Sequence, residues 1–108
     1  MNLLSGHDEI ILLVILNLGD NAYGTTIRRE VSLVTGKEWS IGAVYDPLYR
    51  MEKKGLIESI LSRPLRERGG RSRRMFSVRK EGLESLVAHK TVRDSLWQEL
   101  NHLSLNEE

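Results

Sequence analysis

One stretch of the sequence, residues 40–57, carries both a start signal and a stop signal for a helix. The Ser40 hydroxyl can accept a hydrogen bond from a free N–H group of the first turn, and Gly55 can adopt the left-handed conformation that closes the last turn. Between these two residues, apolar side chains recur at helical spacing and predict one buried face. That face consists of Ile41, Val44, Tyr45, Leu48 and Met51.

The opposite face of this predicted helix mixes small, hydrogen-bonding, aromatic and cationic side chains, which suits a groove of DNA. A recognition helix enters the groove by its N-terminal half, and a small residue there lets its backbone approach the duplex. The predicted DNA contacts on this helix are Ser40, Gly42, Asp46, Tyr49 and Arg50.

Three charged residues near this face have alternative interpretations. Arg50 can fork onto a phosphate, but it can equally pair with Glu52 or with a neighbouring helix. Asp46 repels phosphate, so it either accepts from a cytosine amino group or makes no contact. Arg28, with Arg29 beside it, is a candidate for contacting a phosphate or an ordinary surface residue.

The charge of the chain is concentrated, although the formal net charge is only +1. Residues 63–80 carry eight basic side chains and one acidic one, and the segments on both sides are net acidic. Arginines in a glycine-hinged loop can enter a minor groove or bind phosphates; the alternative is a solvated charged loop. Strand alternation predicts Arg71 and Arg73 on one side, as DNA contacts, with Arg74 opposite.

The first helix is predicted to begin near Ser5, which can cap it with the help of Asp8. The block at residues 10–16 is apolar on nearly every face, so a helix made from it needs cover all round. We interpret this block as core plus subunit interface, with Leu12 at the interface.

A second helix is predicted within residues 22–36, and Gly36 ends it. Two short extended segments, residues 56–61 and 74–78, flank Gly69-Gly70 and read as a hairpin with a long tip. Three helices followed by a hairpin give the order of a winged helix-turn-helix. The inward residues predicted for the second helix are Ile27, Val31 and Val34.

The last helix is predicted from residue 81 to about residue 104, and its apolar face shifts part of the way along. A helix that changes face in this way is expected to leave one body and join another. Trp97 lies beside the second face, where it packs against the other subunit or lines a pocket between subunits. The predicted residues at the dimer interface or effector site are Leu12, Leu96, Trp97, Leu100 and Leu103.

These patterns predict a mainly α fold with a small β-hairpin (α+β). One compact unit is expected, with a winged-helix DNA-binding domain at residues 1–79 and a dimerisation helix at residues 80–108. The absence of cysteine, the acidic residues ahead of the first apolar block and the shortness of that block indicate a cytoplasmic protein without a membrane segment. Scattered histidines without metal-ligand spacing predict no enzyme, no metal and no cofactor.

Three motifs in this order resemble the PadR family of bacterial transcriptional regulators, in particular its short members with a single C-terminal helix. They are AYG at residues 22–24, SxGxVYxxLxRMEKKGLI at residues 40–57 and GGRxRRxFxVxxxG at residues 69–82. The resemblance is collinear over about residues 8–87. It implies a dimeric repressor that binds a palindromic operator, and some members bind aromatic effectors at the dimer interface.

Two departures from the family pattern affect the expected geometry. Pro47 stands one position later than the usual proline, so a bend or a short 3₁₀ stretch is expected in the third helix. Arg79 stands where many members have a threonine cap, so the last helix is expected to start a residue or two away. An alternative function remains for the whole chain: a winged-helix module that binds an acidic protein partner.

Overall fold

The chain forms four α-helices and one two-stranded hairpin in the computed structural model, which describes residues 4–62, 72–100 and 102–103. This architecture confirms the predicted fold class, and the C-terminal helix is present. The elements in chain order are α1 (Gly6–Leu18), a 3₁₀ turn (Gly19–Asn21), α2 (Gly24–Thr35), α3 (Ile41–Lys53), β1 (Ile57–Leu61), β2 (Arg74–Val78) and α4 (Lys80–Glu99).

The helix ends follow the local signals in the sequence. The Ser5 hydroxyl accepts a hydrogen bond from the Asp8 N–H at 3.1 Å, and the Ser40 hydroxyl accepts one from the Ala43 N–H at 3.1 Å. Gly36 and Gly55 have φ angles of 73° and 79°, in the left-handed region where glycine is favoured. The predicted caps of α1 and α3 and the predicted end of α2 are therefore confirmed.

The start of α2 is packed against α3 through a glycine. A Cβ atom at Gly24 would lie 1.6 Å from the hydroxyl oxygen of Tyr45. The Thr26 hydroxyl oxygen accepts from the Tyr23 N–H at 3.0 Å, which caps this end of α2. The glycine therefore permits the close approach of the two helices that form the helix-turn-helix.

The hairpin of β1 and β2, with the residues that connect the two strands, is called the wing below. It is joined to the helices by the segment before α2. β1 and β2 pair in antiparallel register, with Ser59 opposite Phe76. Tyr23 forms an isolated bridge with Met75, and the Phe76 N–H donates to the Ala22 carbonyl at 2.8 Å. Because this third line of backbone pairing ties the wing to the start of α2, the wing and the helix-turn-helix form one body.

The core lies between the first three helices and the hairpin. Side chains from each of these elements are buried there, as the apolar periodicity predicts. The core includes Ile11, Leu12, Ile15, Ile27, Val31, Val44, Leu48, Met51, Ile57 and Phe76.

Three predictions about apolar residues are corrected by the packing. Leu12 is 0% exposed, so its side chain has no surface that a partner subunit could contact. The exposed apolar side chains of α1 include Leu13 and Leu16. Val34 and Ile41 were predicted to face the core but are 59% and 60% exposed. They lie in the last turn of α2 and the first turn of α3, beyond the region that neighbouring elements cover.

Two further differences concern helix geometry. α3 is α-helical throughout Ile41–Lys53, so of the two alternatives expected at Pro47, a bend or a 3₁₀ stretch, the 3₁₀ stretch is not formed. α4 begins at Lys80 and ends at Glu99, about five residues before the predicted end.

The two halves of α4 lie in different surroundings. In the first half, Gly82 and Leu86 are buried, and a Cβ atom at Gly82 would lie 2.2 Å from the Leu56 carbonyl oxygen. From residue 93 onward, every described residue is exposed. Among the described residues, no helix is long and apolar enough to cross a membrane.

Candidate nucleic-acid interface

The outer face of α3 carries most of the predicted contact residues. Ser40, Gly42, Asp46 and Tyr49 are all exposed there. The space over Gly42 is open, since the nearest neighbouring atom to a Cβ built at this position is an Asp46 carboxylate oxygen 3.8 Å away. A duplex can therefore approach the backbone at the start of α3 closely.

A cleft of about 530 Å³ lies where α2, α3 and the wing meet. Arginines and tyrosines dominate its walls, so it combines positive charge with aromatic faces. Such a surface binds phosphate oxygens through guanidinium groups, and hydroxyl groups of tyrosine add neutral donors. The lining residues are Tyr23, Gly24, Thr25, Arg29, Tyr45, Tyr49, Ser72, Arg73, Arg74 and Phe76.

Arg73 is held in place at the edge of this cleft. Its guanidinium carbon lies 4.4 Å from the centre of the Tyr23 ring, a cation–π contact. Its backbone is fixed as well, because its N–H donates to the Ser62 hydroxyl at 2.9 Å and its carbonyl accepts from the Ser62 N–H at 2.7 Å. The charge of Arg73 is therefore presented from a fixed position.

Arg74 also borders the cleft, although alternation predicted it on the opposite side. β2 begins only at Arg74, so the alternation that separates neighbouring side chains does not extend back to Arg73. The Arg74 guanidinium donates to the Ser59 hydroxyl at 3.0 Å, and that hydroxyl donates to a Glu52 carboxylate oxygen at 2.6 Å. This chain of contacts connects the wing with α3.

Arg50 pairs with a residue of a neighbouring helix. Its two terminal nitrogens donate to the two carboxylate oxygens of Asp8 on α1, each at 2.8 Å. The hydrogen bond from Arg50 holds the pKa of Asp8 below its usual value. Of the alternatives that the sequence left open for Arg50, the pairing with a neighbouring helix is formed, and Glu52 accepts from Ser59 instead.

Arg28 supports the turn between α2 and α3. Its Nε donates to the Trp39 carbonyl at 2.7 Å, and a terminal nitrogen lies 3.9 Å from a Glu38 carboxylate oxygen. Trp39 is buried, and its indole N–H donates to the Thr35 hydroxyl at 2.9 Å. Part of the hydrogen-bonding capacity of Arg28 is therefore used within the domain.

Arg29, which the sequence indicates only as a neighbour of Arg28, lines the cleft itself. It borders the cleft described above and a neighbouring one of about 440 Å³ between α2 and the start of α3. The helical phase of α2 explains this position of Arg29. Ile27 and Val31 face the core, and Arg29 is about 200° around the helix from both, whereas Arg28 is closer to their side.

The remaining predicted residues lie away from the cleft or outside the part of the chain that the structure describes. Arg71 lies outside the described residues, as do Arg63, Arg66 and Arg68. At the C-terminal end of α4 and just beyond it, far from the cleft along the chain, the side chains predicted for the interface or effector site are exposed. They are Leu96, Trp97, Leu100 and Leu103.

Comparison with known proteins agrees with this geometry. The model of the transcriptional regulator PadR-like family matches residues 11–88, well over half of the chain. A PadR-family transcription regulator from Clostridium difficile has 28% sequence identity and a TM-score of 0.67, with 90% of this chain and 97% of that one covered.

Two further solved structures share the fold at lower identity. A PadR-like transcriptional regulator from Bacillus cereus has 24% identity and a TM-score of 0.69, covering 94% of this chain and 92% of its own. A transcriptional regulator from Clostridium thermocellum has 21% identity and a TM-score of 0.69, covering 89% and 90%. No curated protein sequence matches the chain significantly.

Proposed function

Because the chain belongs to the PadR-like family of transcriptional regulators, we propose that this DNA-binding regulator is a homodimeric repressor of a palindromic operator. Each subunit inserts α3 into the major groove of one half-site, and the wing contacts the adjacent backbone and minor groove. Repression follows when the bound dimer blocks access of the polymerase.

The observation that carries the proposal is the arginine- and tyrosine-lined cleft beside the exposed face of α3. Arg29 reaches it from α2, Tyr49 from α3 and Arg73 from the wing, so three elements converge on one surface that suits an anionic ligand. Phosphates bound here would fix the register of the duplex, and the N-terminal half of α3 would read the bases.

The dimer part of the proposal rests on α4. Leu96 and Trp97 on its second half and Leu100 directly after it are exposed, and Trp97 is 63% exposed. A second copy of the same helix would cover these side chains and repeat the recognition helix by two-fold symmetry. An aromatic effector that releases the operator would bind beside Trp97, between the subunits.

A fluorescence-anisotropy titration tests DNA binding directly. The wild-type protein is titrated against the duplex upstream of its own gene and against a scrambled duplex, at several salt concentrations. We expect the native duplex to bind about a thousandfold more tightly, within the usual range for specific over non-specific binding. Equal and weak binding of both duplexes would overturn the proposal and direct attention to an acidic protein partner.

A pair of variants locates the binding surface. Arg73→Ala is expected to weaken binding and to reduce the slope of log K against log salt by about 1, since one phosphate contact is lost. Lys90→Ala removes an exposed cation from α4 and serves as the matched control, with an unchanged slope. If both variants change the slope equally, the cleft is not the binding surface.

A further inference from the structure

The first turn of α1 carries two adjacent acidic residues, and each one holds a different helix. Neighbouring residues on a helix point about 100° apart. Asp8 is directed to α3 and Glu9 is directed to α4. One turn of α1 therefore contacts both the helix proposed to read DNA and the helix proposed to join the subunits.

The Asp8 contact fixes the end of α3. The Asp8 side chain is only 7% exposed, and both of its oxygens accept from Arg50 in the last turn of α3. A planar, two-point contact of this kind restricts rotation as well as distance. Arg50 directly follows Tyr49, which lines the cleft, so the pair restricts the rotation of the face that carries Tyr49.

The Glu9 contact fixes the middle of α4. Its oxygens accept from one terminal nitrogen of Arg93 at 2.9 and 3.1 Å, and the His89 Nε2 lies 3.8 Å from one of them. Glu9 and His89 are both largely buried. Beyond Arg93, the described residues of α4 are all exposed, so this cluster is near the last attachment of the helix to the body.

We infer that Asp8 and Glu9 form a two-carboxylate link that sets the pose of α3 relative to α4. The inference rests on the proposed function. In it, Asp8 and Arg50 are positioning residues for the recognition helix, and neither contacts the duplex. A shift of α4, such as an effector bound between the subunits would produce, is transmitted to α3 through the first turn of α1.

The positioning role and a direct phosphate contact predict opposite results at Asp8. If Arg50 binds phosphate, removing the Asp8 charge frees Arg50 and removes a repulsive group, so DNA binding strengthens. If the pair positions α3, the same change loosens the helix and weakens specific binding. The salt slope separates the roles of Arg50 too, because only a phosphate contact contributes to it.

The test uses four variants of the full chain in the anisotropy assay: Asp8→Asn, Arg50→Gln, the double variant and Glu9→Gln. We expect Asp8→Asn and Arg50→Gln each to weaken operator binding by about tenfold with an unchanged salt slope, because a pair with a buried carboxylate and a half-exposed guanidinium loses one partner. The double variant should be no weaker than either single variant, since both act through one contact. Glu9→Gln should weaken operator binding by about threefold, because the hydrogen bonds to Arg93 become neutral.

Asp94→Asn is the matched control, since Asp94 accepts from Lys90 of the same helix and its side chain is half-exposed. Its operator binding should stay within about twofold of wild type. A circular-dichroism spectrum and a thermal unfolding transition like those of wild type show that a variant is folded. If Asp8→Asn does not fold, it is replaced by Asp8→Glu, which keeps the charge but displaces it.

Three outcomes decide the matter. Tighter operator binding by Asp8→Asn, or a flatter salt slope in Arg50→Gln, overturns the inference and makes Arg50 a phosphate contact. Wild-type operator affinity in both Asp8→Asn and Glu9→Gln overturns it as well, while the proposed function stands. A wild-type protein without operator preference overturns the proposed function, and the inference with it.

Discussion

α1 and the second half of α4 are both rich in apolar side chains, but their surroundings are opposite. Ile11, Leu12 and Ile15 on α1 are fully buried or nearly so, because α2, α3 and β2 surround this helix. Leu96 on α4 and Leu100 directly after it are exposed in the isolated chain. One apolar helix therefore completes a core within the chain, whereas the other leaves apolar side chains exposed, and these are the side chains that the proposed dimer would cover.

The magnitude of the apolar effect indicates how much a partner would contribute. Fully burying one leucine side chain stabilises by about 1.5–3 kcal/mol relative to leaving it exposed. The free energy gained by burying several such residues on two copies of α4 exceeds the cost of association only when all of them are buried together. The three predictions below test this contrast between the packed body and the exposed second half of α4.

The largest effect is expected from the double substitution Leu96→Asp/Leu100→Asp. Two leucines per subunit lose their burial and four carboxylates meet at the interface, so the dimer dissociation constant should rise by at least about a thousandfold. Sedimentation equilibrium measures this change. Thermal unfolding of the monomeric body should be unaffected, since these side chains are exposed in the single chain.

Gln98→Asp is the control for that experiment, because residue 98 is on the other side of α4 from Leu96 and Leu100. It adds one carboxylate at an exposed position and should leave the dissociation constant within about threefold of wild type, as surface charges contribute little. If Gln98→Asp dissociates the dimer as strongly as the leucine variant, the interface lies on another face.

The next effect concerns the half of α4 that packs on the body. Gly82→Ala should lower the free energy of unfolding by about 3 kcal/mol, since the added Cβ would overlap the Leu56 carbonyl oxygen and overpacking is costly. Urea denaturation at neutral pH measures it. Helix propensity alone predicts the opposite sign, because alanine normally stabilises a helix over glycine by about 1 kcal/mol.

Gly42→Ala is the matched comparison, since it lies in the first turn of α3 as Gly82 lies in the first turn of α4. Its Cβ meets only an Asp46 oxygen at 3.8 Å, so stability should be unchanged or rise by up to about 1 kcal/mol. Equal effects of the two alanines would show that α4 is not seated on the Leu56 backbone.

The smallest effect is the pH-dependent contribution of the Asp8–Arg50 pair. The hydrogen bond from Arg50 lowers the pKa of Asp8 below its ordinary value of 3.8, so its stabilisation is present above that pH and is lost as pH falls through the lower folded-state value. Asp8→Asn should cost about 1–2 kcal/mol at pH 7 and at pH 5, because Asp8 is buried but Arg50 is half-exposed.

Urea denaturation at pH 7, 5 and 3 measures this contribution. The difference between wild type and Asp8→Asn should shrink below about pH 4 as Asp8 becomes protonated. The Lys90–Asp94 pair on α4 is exposed, and Asp94→Asn should cost at most about 0.5 kcal/mol at neutral pH. A cost for Asp8→Asn that is as large at pH 3 as at pH 7 would contradict an ionic origin.

The fold was largely predictable because its signals are local. Ser5, Ser40 and Gly36 act on backbone groups within a few residues, so caps and helix ends could be read directly. The errors fall where a distant element decides burial. Val34 and Ile41 have the correct helical phase for a core face, but no neighbouring element extends far enough to cover them.

The candidate site was less predictable than the fold. The basic segment indicated an anionic partner, and helical spacing placed Gly42, Asp46 and Tyr49 on one exposed face. The convergence of Arg29, Tyr45 and Arg73 on one cleft depends on how α2, α3 and the wing pack. Packing between elements is set by contacts between residues distant in sequence, which periodicity does not encode.

By itself, the sequence determined the element order, the helix ends and the concentration of positive charge before α4. These properties follow from short-range hydrogen bonding, allowed backbone angles and composition. The tertiary structure decided the partners: Arg50 meets Asp8 across 42 residues, and Glu9 meets Arg93 across 84. A charged side chain on a helix face can pair with any neighbour, and only the packing of the helices brings one of them within hydrogen-bond distance.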